Sequence, residues 1–252
     1  MALFVLKRLI SIHIDGIGVK PYLVLMPRRA RNTPAGLIYH VLNRGVGRQT
    51  LFRKEEDYAA FERVMAEAHQ QVPLRILAYC LMPNHWHFIM SPKIEGEMSE
   101  FMKWMTHTHT QRWHAHYHTV GTGHLYQDRF KSFPVQSDLH LLLVLRYVER
   151  NALRANMVSR AEDWTWCSLW RRQNKRGLAM LSDWPVERPT DWVDFVNEPQ
   201  TQEELDALRR CVNRGCPFGE DEWQKVTIEQ LGLERTVRPR GRPRKTTVKS
   251  GI

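Results

Sequence analysis

Residues 74–91 read LRILAYCLMPNHWHFIMS, and the fold is decided there. Leu74 to Met82 is a run of apolar and β-forming residues, Pro83-Asn84 is a turn dipeptide, and His85 to Ser91 resumes an apolar-rich run of strand length. The pattern predicts two strands joined by a tight turn. On the N-terminal side, Glu55 to Gln71 carries Phe61, Val64, Met65 and Ala68 at helical spacing. On the C-terminal side, Met98 to about His118 is helical by its period and by its lack of Gly and Pro. Leu37 to Arg44 (LIYHVLNR), ending at Gly45, reads as an earlier strand, and Lys131 to Gln136 reads as a fourth. Ser137 is placed to cap a helix running from Asp138 to Asn151 or beyond. The resulting order, βαββαβ with an added helix, predicts an α+β protein with a ferredoxin-like split βαβ domain. That arrangement hosts unrelated functions, so the chemistry must be read from side chains.

Strand side chains two apart point to the same face, so His85 and His87 can hold one divalent ion while Trp86 and Phe88 face the other way. The competing reading is a pair of partly exposed strand histidines. The pairs His107/His109, His114/His116 and His116/His118 repeat the spacing on a helix, where residues two apart diverge by roughly 200°. Those pairs are expected to be solvated, with His114 and His118, four apart, as a second candidate chelate. A nucleophile and a third ligand should come from an element facing the strand. Tyr147 and Asn151, in RYVERN, are four apart on the last helix and would share a face, unless they are a core tyrosine and a capping asparagine. Arg146 and Arg150 beside Tyr147, with Arg154 further along, suit a site that handles phosphate. Tyr58, with Glu62 four residues on, is the next candidate nucleophile but has no arginine beside it.

The chain of 252 residues carries 42% hydrophobic and 25% charged residues, which excludes a largely disordered protein and a membrane bundle. Its net charge of +10 is uneven. Residues 1–34 hold six basic and one acidic side chain, residues 235–252 hold seven basic and none acidic, and the body between is left at −2. Basic ends on a near-neutral body predict arms that grip a polyanion, with nucleic acid as the partner. Cys80, Cys167, Cys211 and Cys216 form no CxxC pair, which fits a reducing cytoplasm, and Cys211 and Cys216 lack the second pair a structural zinc site needs.

Lys7, Arg8, His13, Asp15 and Lys20 interrupt the N-terminal apolar stretch, so residues 1–25 fit neither an anchor nor a signal peptide. Met26, followed by Pro27-Arg28-Arg29-Ala30-Arg31, reads as the natural start. The expected organisation is a leader and basic arm over 1–34, a catalytic domain over 35–160, a Trp-rich packing segment over 161–200, a helical extension over 201–233 and a basic disordered tail over 234–252. In that tail, Pro239-Arg240-Gly241-Arg242-Pro243-Arg244 resembles an AT-hook or serves as an electrostatic tether.

MPNHWHFIM, GHLYQDRFKSF and RYVERNALRANMV, in this order and spacing, resemble the REP-associated tyrosine transposases, a branch of the single-tyrosine HUH transposases. The likeness runs from about Pro27 to Val158, and the Trp-rich segment and RPRGRPRK tail are similar to those of members with long C-terminal extensions. The resemblance implies that His85, His87 and Asn151 hold Mg²⁺ or Mn²⁺ and that Tyr147 is the nucleophile. It implies cleavage and strand transfer of single-stranded DNA at REP-type hairpins through a 5′-phosphotyrosyl enzyme and a free 3′-hydroxyl. Arg44, Arg129, Lys131, Arg146 and Arg150, with Arg240, Arg242 and Arg244 of the tail, are the expected DNA contacts. The protein is expected to be cytoplasmic, associated with the nucleoid, and a monomer or homodimer. Ala152 stands where many relatives carry proline. Two other functions compete. One is a domesticated hairpin-binding protein that does little cleavage. The other is a phosphohydrolase using water, which would need carboxylates near the HxH, and no Asp or Glu lies between Tyr79 and Ile94.

Overall fold

The computed structural model describes residues 32–238. The expectations for residues 1–31 and for the AT-hook-like tail, Arg240, Arg242 and Arg244 included, lie outside the described residues. Strands β1 (Ile38–Arg44), β2 (Arg75–Met82), β3 (His85–Ser91) and β4 (Lys131–Val135) form one antiparallel sheet in the order β2-β3-β1-β4. Helices α1 (Glu55–Gln71) and α2 (Glu97–His116) follow β1 and β3, which gives the ferredoxin-like split βαβ connectivity.

Local chemistry sets these boundaries. At the start of α1 the Asp57 carboxylate accepts the backbone N–H groups of Arg53 (2.7 Å) and Lys54 (3.2 Å), donors with no partner inside the helix. The β2–β3 turn is locked from outside, because the Pro83 carbonyl accepts Leu51 N–H (2.7 Å) and Phe52 N–H (3.0 Å), and the Asn84 carbonyl accepts Gly45 N–H (2.9 Å). Gly45 permits this close packing: a Cβ there would lie 2.4 Å from the Gln49 carbonyl oxygen.

Both faces of the sheet are covered, so its strands are apolar on both sides rather than alternating. Phe61, Val64 and Met65 of α1 and Met98, Phe101 and Met105 of α2 pack on Tyr39, Val41, Trp86 and Phe88. On the opposite face, Leu141, Val144, Leu145 and Val148 of α3 (Leu139–Glu149) pack on Ile38, Cys80, Ile89 and Phe133. The α3 cap is Asp138, not Ser137: its Oδ1 accepts His140 N–H at 2.7 Å. The helix ends at Glu149, and a short α4 (Asn151–Arg154) continues it past Arg150.

The C-terminal third seals the sheet. Trp166 O accepts Leu81 N–H (2.9 Å), and the indole N–H groups of Trp164 and Trp184 donate to the Leu81 and Leu77 carbonyls (2.9 and 2.8 Å), which occupies the free edge of β2. Beyond α5 (Ser168–Gln173), α6 (Trp192–Asn197) and α7 (Gln202–Arg214), Phe218 exchanges backbone hydrogen bonds with Pro134 and Gln136 at the edge of β4. Covered edges do not template pairing with another chain. α8 (Asp221–Leu231) and α9 (Glu234–Val237) complete the described residues. No helix among them is long and apolar enough to cross a membrane.

Candidate active site

The register of β1 and β3 puts His87 opposite Leu42, His85 opposite Arg44 and His40 opposite Ile89, on the face covered by α3. Trp86 and Phe88 lie in the other core, as strand alternation requires. The His85 and His87 rings are 5.0 Å apart between centroids, and the Tyr147 ring stands edge-on to His87 at 6.0 Å and to His40 at 6.2 Å. Tyr147 is therefore brought to the histidines from the facing helix. Tyr58 is not: it stacks on Trp166 at 5.1 Å, in the core beneath α1.

Each histidine has a neighbour that orients its ring. Asn84 Nδ2 donates to the Arg48 carbonyl (3.3 Å), so its Oδ1 faces His85 Nδ1 at 2.6 Å and takes that proton. The neutral His85 ring then keeps its Nε2 lone pair for a cation. His87 Nδ1 lies 2.9 Å from His40 Nε2, and a proton on His87 Nδ1 leaves its Nε2 lone pair in the same state. Burial, followed by the charges of Arg44 and Arg154, pushes His85 down to about 4. Burial, then His40 and His85, holds His87 well below the usual histidine range, and burial with Arg154 pushes His40 down to about 3. All three imidazoles are neutral near pH 7, the state a metal ion requires.

Asn151 is 5% exposed. Arg154 Nη2 lies 2.9 Å from Asn151 Oδ1, and because arginine only donates, the amide atom facing it is oxygen. Asn151 Nδ2 is buried without a hydrogen-bond partner. The Arg154 guanidinium also lies 4.1 Å from the Tyr147 ring centroid, with Nη1 reaching the Tyr147 carbonyl (3.3 Å) and Gln200 Oε1 (3.4 Å). Two neutral imidazoles on one strand face, with a buried amide four residues on from the facing Tyr147, suit a hard or borderline divalent ion whose remaining positions are filled by water or phosphate oxygen. No group of three His, Cys, Asp or Glu among the described residues could hold a metal.

The expected DNA contacts divide. Arg129 and Lys131 are exposed, with Lys131 paired to Leu42 in the strand row that contains His87, and Arg44 is half-buried beside His85. Arg146 and Arg150 correct the expectation. Arg146 is buried, stacks on Phe195 at 4.1 Å and donates to the Glu198 (2.7 Å) and Pro199 (3.1 Å) carbonyls. Arg150 donates to the Val196 (2.9 Å) and Asn197 carbonyls. The Arg146 guanidinium and Arg150 Nη1 thus bind carbonyls at the end of α6 and just beyond it.

The helical histidines also need correction. His109 is buried, not solvated, and its Nδ1 lies 2.7 Å from the Tyr126 hydroxyl. Trp86 Nε1 donates to that hydroxyl (3.1 Å), so the Tyr126 proton goes to His109. His118 lies beyond the end of α2 at φ 52°, which breaks the four-residue relation to His114. His40 and the contacts of Arg154 were not legible from motif spacing. His40 alternates correctly with Tyr39 and Val41, but only the pairing of β1 with β3 puts it on His87.

Residues 34–151 match the family model described as "Transposase IS200 like". A solved structure of a REP-associated tyrosine transposase bound to a REP hairpin is similar over 70% of this chain and 99% of its own, at 18% identity and a TM-score of 0.46. A putative transposase from Deinococcus radiodurans R1 is similar over 48% of this chain and 95% of its own, at 16% identity and a TM-score of 0.34. No curated protein matches the chain.

Proposed function

Residues 34–151 match the IS200-like transposase family model, and from that premise we propose that the protein cleaves single-stranded DNA at palindromic hairpins by attack of Tyr147 on a phosphodiester. The observation that carries the reading is the Tyr147 ring standing edge-on to His87 at 6.0 Å, with His85 5.0 Å further along the same strand face.

In the proposed reaction Tyr147 Oη forms a bond to phosphorus, the bond from phosphorus to the 3′-oxygen breaks, the phenolic proton passes to water and the departing oxygen takes a proton from water. The products are a 5′-phosphotyrosyl enzyme and a free 3′-hydroxyl. The ester keeps the bond energy, so a 3′-hydroxyl can later reverse the attack and reseal a strand without ATP. His85, His87 and Asn151 would hold Mg²⁺ or Mn²⁺, which offsets phosphate charge and aligns the phosphorus for in-line displacement. The α3 and α4 backbone fixes the nucleophile, while Asn84 and His40 orient the imidazoles. Exposed Arg129 and Lys131 are suited to guiding the strand across β4 toward Leu42 and His87.

Incubating a labelled hairpin-bearing single strand with the protein and Mg²⁺ tests the proposal. A covalent protein–DNA adduct is expected. A mobility shift without cleavage would instead indicate a hairpin-binding protein, and free hydrolysis products a phosphohydrolase. Tyr147→Phe removes one oxygen, so it should abolish the adduct and leave hairpin binding nearly intact. An adduct surviving in Tyr147→Phe would overturn the assignment of the nucleophile.

A further inference from the structure

Arg154 differs in its partners from Arg146 and Arg171. Arg146 has Glu204 at 3.6 Å and Arg171 is paired with Glu62, whereas no carboxylate among the described residues lies within ion-pair distance of Arg154. Its guanidinium is held by neutral groups alone: the Tyr147 ring, the Tyr147 carbonyl, Asn151 Oδ1 and Gln200 Oε1. A buried cation without a counter-ion is costly, and a charge-assisted bond to phosphate is roughly twice as strong as one to a neutral amide. The second observation is the orphaned Asn151 Nδ2, a buried donor that lacks an acceptor while Oδ1 is occupied by Arg154. The oxygen assigned to the metal ion is thus engaged by a cation, and the nitrogen beside it awaits an anion.

We propose that Arg154 is a positioning residue that exchanges partners: without DNA it holds Asn151 Oδ1, and a DNA phosphate draws the guanidinium away and releases that oxygen to the divalent ion. Metal binding is then coupled to DNA binding, and the ion is held tightly only when a phosphodiester is present to be cut. The guanidinium need not leave the site. Rotation toward a phosphate beside Tyr147 keeps it near the ring while breaking the bond to Asn151. This inference rests on the assignment of His85, His87 and Asn151 to the metal, but its first test does not depend on cleavage.

The full chain, without DNA, is titrated with Mn²⁺ by calorimetry as wild type, Arg154→Gln, Asn151→Ala and the double variant, with melting temperatures recorded for each. Removing the guanidinium that competes for the oxygen should raise Mn²⁺ affinity about tenfold in Arg154→Gln, since the ion no longer has to displace a charge-assisted hydrogen bond to that oxygen. The gain should vanish in the Asn151→Ala background, because it passes through the amide oxygen. A gain of equal size in that background would mean that charge acts through space and would overturn partner exchange. Unchanged or weaker Mn²⁺ binding in a folded Arg154→Gln protein would also overturn it, since a purely structural arginine gives that result. If Arg154→Gln fails to fold, Arg154→Lys carries the test: a compact ammonium cannot span the same groups and should still relieve part of the competition, so unchanged affinity there counts against the exchange.

With a hairpin-bearing single strand present, wild-type affinity for Mn²⁺ should rise and that of Arg154→Gln should rise less. Wild-type protein that forms the covalent adduct but shows none of these metal effects sinks the exchange and leaves the cleavage reading standing. Wild-type protein that forms no adduct sinks the cleavage reading, and the DNA-free titrations still decide whether Arg154 competes for Asn151.

Discussion

Asn84 and His40 each hold the ring of a strand histidine, one from the turn and one from the neighbouring strand. Groups that hydrogen-bond the far nitrogen of a metal-bound histidine typically affect metal affinity by about 10–100-fold. Asn84→Ala should therefore lower Mn²⁺ affinity in the DNA complex by about tenfold, while the backbone bonds at Pro83 and Asn84 preserve the turn. Calorimetry on the DNA-bound protein measures this, and undiminished affinity would remove Asn84 from the site.

His109 acts on stability instead. Burial pushes it down to about 3, against the opposing charge of Asp57, while an unfolded histidine titrates near 6.5. Above the unfolded value both states are neutral and the contribution is intact. As pH falls from about 6.5 toward 3, the unfolded chain binds a proton that the folded chain refuses, and stability is lost at about 1.4 kcal/mol per pH unit for that histidine. His109→Leu should flatten the dependence of unfolding free energy on pH by about one proton between roughly pH 6 and 4, as read by urea denaturation. An unchanged slope would mean that His109 is protonated in the native protein.

At the scale of elements, α3 joins the sheet to the C-terminal third. Glu149, fully buried, accepts from Ser168 Oγ (2.6 Å) and Trp192 Nε1 (2.8 Å), and Ser168 in turn accepts Tyr79 N–H (3.1 Å). One carboxylate thus joins α3, α5, α6 and β2. Burial raises the Glu149 carboxyl, and the Ser168 and Trp192 donors oppose that rise. With Glu149 ionised, Glu149→Gln replaces a charged acceptor with an amide and forces the Ser168 hydroxyl proton to turn from residue 149 to the Tyr79 carbonyl (3.2 Å), at a cost of about 1–3 kcal/mol. Chemical denaturation checks this, and an equally stable variant would show that Glu149 is carried protonated. Arg146 and Arg150 strengthen the same junction by binding the carbonyls of residues 196–199, which brings Gln200 to Arg154. The segment after α6 is therefore part of the support of the candidate active site.

At the scale of the whole molecule, the basic excess is concentrated at the two ends of the chain. The near-neutral body contains the sheet and the histidines, while the terminal segments carry the basic excess. A chain ending at Arg238 lacks five basic residues. It should melt as the full chain does, bind hairpin DNA more weakly, and lose about 0.9 from the log–log salt slope for every duplex phosphate contact removed. Arg240→Ala with Arg242→Ala should cost more on an A·T stem than on a G·C stem if the tail reads the minor groove, and equally on both if it is a tether. Binding measured across a salt series distinguishes the outcomes, and an unchanged slope in the shortened chain would leave the tail without a DNA contact.

Periodicity alone determined the elements that hold the site. The bounds Glu55–Gln71 and His85–Ser91 follow from helical and strand periods within each segment, and so does the shared face of His85 and His87. These are short-range relations, encoded by residues two to four apart. The partners were decided only by tertiary structure. Arg146 and Arg150 read as phosphate ligands because a sequence displays charge, yet their acceptors are backbone carbonyls 46 to 53 residues away that carry no side-chain signal. His109 reads as solvated because its own helix offers no partner, and Tyr126, from the loop before β4, supplies one. His40 and Arg154 enter the site through strand register and through the chain after α6, and neither is a property of the motif that contains it. Local pattern specifies which face a side chain occupies, whereas a buried polar group must find its partner wherever the packed chain provides one.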